Sequence, residues 1–176
     1  MHANVHGQTM VGTFPRLLLW LLILWSAVQL GAGLYEKQVV IPIWAEGATP
    51  TTLGDQLAGS GHTASSTRFW PFVSPMVFLL AIVNLVVAWR HRSPARAWWL
   101  FASITLIVMS IATYAYFVPT MLSMMHRAET YTPEQLARTM TLWLNLSWLR
   151  SLIAVPAWLA AVKALTLLGG RPGWWV

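Results

Sequence analysis

Long apolar stretches separated by short polar segments dominate the chain. Four stretches contain at most one charged side chain: residues 17–35, 69–89, 97–125 and 139–162. Because about 20 apolar residues in a helix cross the ~30 Å hydrocarbon layer of a bilayer, each stretch is long enough to span a membrane. The pattern therefore predicts an all-α, polytopic membrane protein in which residues 1–176 form a single membrane domain, a four-transmembrane-helix bundle with two outer loops.

The spans predicted by this pattern are about 17–42, 70–89, 97–122 and 136–163. The first span is extended past Glu36 because apolar residues continue from Val39 to Trp44. In the third span, Pro119 predicts a kink or a local unwinding, since proline lacks the backbone N–H that an α-helix requires.

Two longer connections are expected on the same side of the membrane. Residues 45–68 are rich in Gly, Thr and Ser, which predicts a loop with at most a short helical turn near residues 53–58. The other connection, residues 123–138, contains Thr132 and Pro133, where threonine can cap a helix and proline suits its first turn. The fourth helix is therefore expected to begin outside the membrane.

Composition supports this prediction and excludes several classes of protein. Hydrophobic residues make up 57% of the chain and charged residues 9%, whereas a soluble domain carries about 25% charged residues. There is no cysteine, which excludes a disulfide framework, a thiolate nucleophile and a cysteine-ligated metal. The net charge is +6, but no basic run interleaved with aromatic residues lies outside the apolar stretches, so we expect no nucleic-acid partner.

The distribution of charge predicts the orientation of the chain. The short connection between the second and third spans contains Arg90, Arg92 and Arg96 and no acidic residue. By the positive-inside rule this connection lies in the cytoplasm, and both termini lie on the same side. All five acidic residues fall on the opposite side. We therefore expect an integral protein of the bacterial inner membrane with both termini in the cytoplasm.

Arg150 is the charged residue that lies deepest in a predicted span. A charge at such depth is costly and usually faces the interior of a bundle or a wet cavity. Glu36 is the one acid next to an apolar run that can continue the first helix, so we expect it to form an ion pair with Arg150. This pair, either catalytic or structural, is expected to border the functional cavity. Together with Tyr35 and Tyr116, the two residues are the candidate catalytic groups.

The helical spacing of other polar residues predicts a polar pocket in the outer half of the bundle. Gln29 and Gly33 share one helix face with Glu36, and Thr113 shares one with Tyr116. The candidate substrate-binding residues are Gln29, Gly33, Thr113, Trp143, Asn145 and Ser147.

Two histidines expected on the outer side, His62 and His126, are candidate metal ligands. With Glu36 they supply the two imidazoles and one carboxylate of an iron or copper site, and either imidazole is alternatively an axial haem ligand. The three residues lie on separate segments, so spacing does not define their arrangement. The cofactor is therefore left open, with a metal ion and a haem as the candidates.

Several motifs resemble one family of small membrane proteins. They are Gly31-x-Gly33-x-Tyr35-Glu36, Val40-x-Pro42-x-Trp44, Phe69-Trp70, Thr113-x-x-Tyr116-Phe117-x-Pro119 and the segment from Trp143 to Arg150. Over residues 17–168 the chain resembles a four-helix integral membrane family related to the anthrone oxygenases. The resemblance implies a four-helix bundle and oxygenation of a flat, lipophilic substrate, without one defined cofactor.

We therefore expect an integral membrane enzyme, an oxygenase or other oxidoreductase, that takes a small lipophilic substrate from the bilayer. The alternatives are a structural or partner subunit of a membrane complex, an oligomeric transporter and a haem-dependent epoxide isomerase. The styrene oxide isomerases are similar in size and topology, although their histidine-containing loop signature does not occur in this sequence. Small residues in the spans and ample lipid-facing apolar surface also predict a homo-oligomer.

The expected orientation leads to a test with reporter fusions. A reporter placed at Gly59, in the first outer loop, and one placed at Ser93, in the cytoplasmic connection, should report opposite sides of the membrane. Alkaline phosphatase, which is active only outside the cytoplasm, should be active at Gly59 and inactive at Ser93. Equal activity at both positions would contradict the four-span arrangement.

Overall fold

The computed structural model describes residues 13–169, and this part of the chain is all-α and contains no strand. Four helical segments are long and apolar enough to cross a membrane: Thr13–Ala45, Trp70–Arg90, Arg96–His126 and Pro133–Leu168. The predicted four-helix membrane fold is therefore confirmed. Each segment is somewhat longer than the span predicted from the sequence.

The first half of the described chain contains two spans and the connection between them. The first span consists of α1 (Thr13–Tyr35), a π-helical turn (Glu36–Val40) and α2 (Ile41–Ala45). The connection contains α3 (Leu53–Gly59) and α4 (His62–Arg68), and the second span is α5 (Trp70–Arg90). In a π turn the backbone hydrogen bonds join residues five apart, so the helix is locally wider. The first span therefore stays helical past Glu36, as the sequence predicts.

The second half of the chain forms the other two spans. The third span consists of α6 (Arg96–Ala112), a second π turn (Thr113–Phe117) and α7 (Val118–His126), and the fourth span is α8 (Pro133–Leu168). The predicted start of α8 is confirmed. The Thr132 hydroxyl accepts a hydrogen bond from the backbone N–H of Gln135, whose side chain accepts one from the backbone N–H of Thr132. This reciprocal cap satisfies two N–H groups that the first turn of a helix leaves free.

A proline follows each π turn closely. Pro42 is the second residue of α2, and Pro119 is the second residue of α7. A proline has no backbone N–H, and in an α-helix its ring collides with the carbonyl oxygen four residues earlier. A wider turn before each proline accommodates both constraints and keeps the span helical. The unwinding that the sequence predicts at Pro119 therefore takes the form of a π turn.

The connection between the first two spans is more helical than predicted. The sequence predicts at most one helical turn near residues 53–58, whereas the structure contains both α3 and α4. Gly61 lies between these helices with a φ of +74°, a left-handed conformation that glycine adopts without strain. Leu57 and His62 are buried against the bundle. Packing on the bundle, and not the local propensity of this polar segment, explains why such short helices form.

The bundle has two hydrophobic clusters, one at each end. At the end where the described chain begins and finishes, called the terminal end, alanines of α5, α6 and α8 pack against leucines of α1. At the opposite end, called the loop end because it bears α3 and α4, Trp44 packs with Leu53, Met124 and Leu136. Apolar side chains also project outward from all four spans, for example Leu24, Leu79, Val108 and Leu152. Such an outer surface is suited to contact with lipid.

Asn84 is fully buried and joins three helices at the terminal end. Its Nδ2 donates hydrogen bonds to the backbone oxygens of Leu18, at 3.1 Å, and Leu80, at 2.8 Å. Its Oδ1 accepts a hydrogen bond from Nε1 of Trp99 at 2.9 Å. These contacts connect α5 to α1 and to α6, so the amide fixes how the three helices pack.

We expect Asn84→Ala to lower the free energy of unfolding by about 1–2 kcal/mol, because the indole N–H of Trp99 would be left buried without an acceptor. The matched control is Asn145→Ala, since Asn145 is exposed, and it should change this free energy by less than about 0.5 kcal/mol. Unfolding by SDS titration in mixed micelles measures both. An equal loss in the two variants would show that the Asn84 hydrogen bonds contribute little.

Candidate functional site

A cavity of about 210 Å³ lies in the loop-end half of the bundle. Residues of all four spans, including both π turns, and of α4 form its wall. The apolar part of the wall includes Ile41, Phe117, Met121 and Trp143. The polar part includes Glu36, Lys37 and Arg150, which lie in membrane-spanning segments. The cavity is therefore amphiphilic, with charged groups beside a largely apolar space.

The π turns determine which side chains reach this cavity. Two series line it at intervals of four residues: Gln29, Gly33, Lys37 and Ile41, and Thr113, Phe117, Met121 and Met125. In a regular α-helix, residues four apart differ in direction by about 40°, so such a series would drift around the helix. A π turn rotates the chain less per residue and returns the later residues to the cavity face.

Glu36 is held in the cavity wall by two hydrogen-bond donors from neighbouring helices. Its Oε1 accepts a hydrogen bond from Nε1 of Trp70 at 2.9 Å and another from the hydroxyl of Ser65. Trp70 is the first residue of α5, and Ser65 belongs to α4. These contacts fix the orientation of the carboxylate and connect α4 to the first span.

Lys37 is a buried cation that the sequence analysis does not select. Its side chain is 7% exposed, and its Nζ donates hydrogen bonds to the backbone oxygen of Gly33, at 3.1 Å, and to Oγ of Ser151, at 2.8 Å. A Cβ atom at Gly33 would lie 3.6 Å from this Nζ, so a side chain larger than alanine would occupy the space of the ammonium group. The side chain of Lys37 therefore links the first span to the fourth through its hydrogen bond to Ser151.

Arg150 reaches the same cavity from α8. Its Nη1 donates a hydrogen bond to Oγ1 of Thr113 at 3.0 Å, and its guanidinium carbon lies 4.3 Å from the centre of the Phe117 ring. The second contact has the geometry of a cation–π interaction. Within residues 13–169 no hydrogen bond joins Arg150 to Glu36. The predicted direct ion pair is therefore wrong, because each residue is held by other partners, although both line the cavity.

His62 is a buried imidazole in the cavity wall. It is 3% exposed, and its ring centre lies 5.4 Å from that of Trp44. In the described part of the chain, neither Nδ1 nor Nε2 has a hydrogen-bond partner. Burial lowers the pKa of His62 below its ordinary value of 6.5, and the nearby Glu36 carboxylate opposes this shift only in part. The imidazole is therefore neutral at pH 7 and has a free lone pair.

A smaller chamber of about 40 Å³ adjoins the cavity deeper in the bundle. It shares Lys37 and Arg150 with the cavity, and Ser26, Ser110 and Ser151 add hydroxyl groups to its wall. This volume accommodates water, and the lining offers the polar partners that a buried water requires.

Most of the site residues predicted from the sequence lie in the wall of the cavity. They are Gln29, Gly33, Glu36, His62, Thr113, His126, Trp143, Ser147 and Arg150. Lys37 and Trp70 belong to the same wall, and neither is among the predicted site residues. Lys37 follows Gly33 by four residues, so helical spacing could have indicated it.

Three predicted site residues lie elsewhere. Tyr35 is 60% exposed on the outside of the bundle, and Asn145 is exposed on α8. Tyr116 borders a separate groove between α7 and α8. The prediction for Tyr116 assumes a regular α-helix, whereas the second π turn brings Phe117 to the cavity instead. Tyr35 and Asn145 are on helix faces that point away from the cavity, so the structure does not bring them into it.

The predicted metal site is not assembled in this structure. Between residues 13 and 169, no group of three or more His, Cys, Asp or Glu side chains is arranged to hold a metal ion. His62, His126 and Glu36 all line the cavity, but Glu36 is turned to Trp70 and Ser65, and His126 is exposed at the end of α7. The alternative that His62 or His126 is an axial haem ligand stays a prediction.

Comparison with known proteins adds no identification. No family model, no curated protein and no solved structure matches this chain. The proposed function therefore rests on the arrangement of side chains around the cavity.

We expect His62 to make the protein less stable on the acid side of pH 6.5. Because folding lowers the pKa of His62, the unfolded chain binds a proton below pH 6.5 more readily than the folded protein does. The free energy of unfolding therefore decreases as the pH falls from 6.5 towards the folded pKa. Thermal unfolding in detergent at about pH 7.5 and pH 5 measures the effect, since these values bracket the titration.

The decrease in Tm between these two pH values should be smaller in His62→Gln than in the wild-type protein. His126→Gln is the matched control, because His126 is exposed, and it should retain the wild-type decrease. If the two variants behave alike, His62 is not the buried titrating group.

Proposed function

We propose that this protein is an integral membrane enzyme that oxygenates a small lipophilic substrate, beginning with the removal of a proton in the loop-end cavity. The observation that carries the proposal is the buried imidazole of His62, which lines the cavity without a hydrogen-bond partner among the described residues. Leaving such a group unsatisfied costs roughly 1–3 kcal/mol, and groups of this kind cluster at functional sites. A bound substrate would supply the missing partner.

The position of the cavity suits a substrate that arrives from the bilayer. Val118 and Leu122 of α7 line the cavity and are also 39% and 47% exposed on the outside of the bundle. Beyond the second π turn, α7 packs on α3 and α8, whereas α5 packs on α6. Trp70 and Ser74 of α5 also line the cavity. These features support a lateral opening between α5 and α7.

The charged groups suit the formation of an enolate. Neutral His62 can accept a proton from a ring CH₂ group that is conjugated with a carbonyl group through the adjoining aromatic rings. Lys37 and Arg150 can then stabilise the negative charge that develops on the carbonyl oxygen. The enolate reacts with O₂, and in the overall balance a ring CH₂ group and one O₂ become a ring C=O group and one water. The resemblance to a family related to the anthrone oxygenases supports a flat, lipophilic substrate of this kind.

The test is turnover of anthrone by the purified protein in lipid nanodiscs. Absorbance follows the formation of anthraquinone, and an oxygen electrode follows the consumption of O₂. We expect one O₂ to be consumed per anthraquinone formed, at a rate above that of empty nanodiscs. His62→Gln should lower this rate by about 100-fold or more, since a general base contributes roughly 10²–10⁴-fold. His91→Gln, at the terminal end, is the matched control and should keep the wild-type rate.

The pH profile separates a base from a residue that only supports the fold. Because protonated imidazole cannot accept a proton, the wild-type rate should fall on the acid side with an apparent pKa below 6.5. A folded His62→Gln protein with full activity would contradict the role of His62. Folded wild-type protein without anthrone turnover would contradict the proposal and favour a structural or partner subunit.

A further inference from the structure

The cavity carries one more positive charge than negative charge. Among the described residues, its wall contains two cations, Lys37 and Arg150, and one acid, Glu36. The other acids of the chain are all within residues 13–169 and are exposed at the loop end: Glu46, Asp55, Glu129 and Glu134. Since His62 is neutral, no charged group of this region balances the second cation.

Direct contact with Glu36 does not neutralise either cation. Lys37 donates to a backbone carbonyl and a serine hydroxyl, and Arg150 donates to a threonine hydroxyl. The two cations line the same cavity and the same adjoining chamber, so their charges repel each other. An unbalanced charge inside a membrane bundle is costly, and an anion placed beside it lowers that cost. The local charge therefore favours a ligand with one negative charge.

Both cations have hydrogen-bond donors left for such a ligand. A guanidinium group has five N–H donors, and Arg150 makes one hydrogen bond within the described chain. An ammonium group has three donors, and Lys37 makes two hydrogen bonds. Water in the adjoining 40 Å³ chamber, beside the hydroxyls of Ser110 and Ser151, can complete the hydrogen bonds of an anionic oxygen.

We propose that the cavity binds a small lipophilic acid, whose anionic oxygen lies between Lys37 and Arg150 and whose apolar body lies against Phe117, Met121 and Trp143. The inference rests on the proposed function, because it names the ligand class of the same cavity. A carboxylate is one such ligand, and the enolate formed during turnover presents the same kind of oxygen.

An anionic phospholipid carries the same chemistry on a larger molecule. The structure favours a free acid, because α4 covers the loop end of the cavity with His62, Thr63 and Ser66. A phospholipid would have to place its headgroup beneath this cover. The two sources are separated experimentally by changing the lipid around the protein.

The experiment compares the binding of decanoate and decan-1-ol, which have equal chain lengths. Calorimetric titration uses protein in phosphatidylcholine nanodiscs at about pH 7, where a carboxylate is ionised, and the heat of empty nanodiscs is subtracted. We expect decanoate to bind at least about 10-fold more tightly than decanol, as a desolvated charge pair is worth a factor of that order. Equal affinities in the wild-type protein would overturn the inference without the need for any variant.

Variants at Lys37, with a control at Lys163, assign the preference to the buried cation. Lys37→Met should reduce the ratio of the two affinities to about 2 or less, since it removes one charge and keeps the apolar stem. Lys163→Met is the matched control, because Lys163 is exposed on α8 at the terminal end, and it should keep the wild-type ratio. Lys37→Arg, which keeps the charge, should restore a preference for decanoate if Lys37→Met does not fold. A full preference in folded Lys37→Met would overturn the inference.

Nanodiscs that contain phosphatidylglycerol separate the two sources of the anion. If a free acid is the ligand, the ratio of the affinities for decanoate and decanol should change by less than about 2-fold when phosphatidylglycerol is added. Loss of decanoate binding in these nanodiscs would overturn the assignment to a free acid. Binding is measured without turnover, so the two proposals can fail separately. Preferential binding of decanoate without anthrone oxidation would contradict only the proposed enzymatic function. Anthrone oxidation without a preference for decanoate would contradict only this inference.

Discussion

Lys37 and Arg150 are cations in membrane-spanning segments, where the protein has to supply the polar contacts that water would otherwise make. A backbone carbonyl and the hydroxyls of Ser151 and Thr113 supply them, together with the aromatic face of Phe117. The contacts with Ser151, Thr113 and Phe117 join different spans, so solvating the two charges also determines how the loop-end half is assembled. The cavity is the space that remains around these charges, and its electrostatics follow from them.

The two ends of the bundle differ because their helices differ. At the terminal end, regular α-helices pack through alanines, and the buried amide of Asn84 is fully bonded. At the loop end, Pro42 and Pro119 follow π turns that widen the first and third spans. These turns keep two series of residues at four-residue intervals on the cavity face. The densely packed terminal end therefore supports the loop-end half, which contains the charged cavity.

The sequence predicts the part of this architecture that depends on apolar length and on local capping. It predicts four spans, the start of α8 at Thr132 and the position of Arg150 in the wall of the cavity, since a charge in an apolar span is a strong signal. It does not select Lys37, because Glu36 and Lys37 lie three and four residues after Gly33, both close to its helix face, and Glu36 has the charge opposite to that of Arg150. The assumption of a regular α-helix leads to the wrong placement of Tyr116. The helix α4 depends on tertiary packing, so its polar sequence gives no local signal.

The most direct measurement is a crystal structure of the protein in lipid with 10-bromodecanoate, in which anomalous scattering locates the bromine atom. If the cavity is a site for lipophilic ligands, the bromine atom should lie within about 4–5 Å of Met121 or Trp143, in van der Waals contact. The carboxylate should lie within about 3.2 Å of a guanidinium nitrogen of Arg150. Bromine density only on the lipid-facing surface, with an empty or collapsed cavity, would contradict the account.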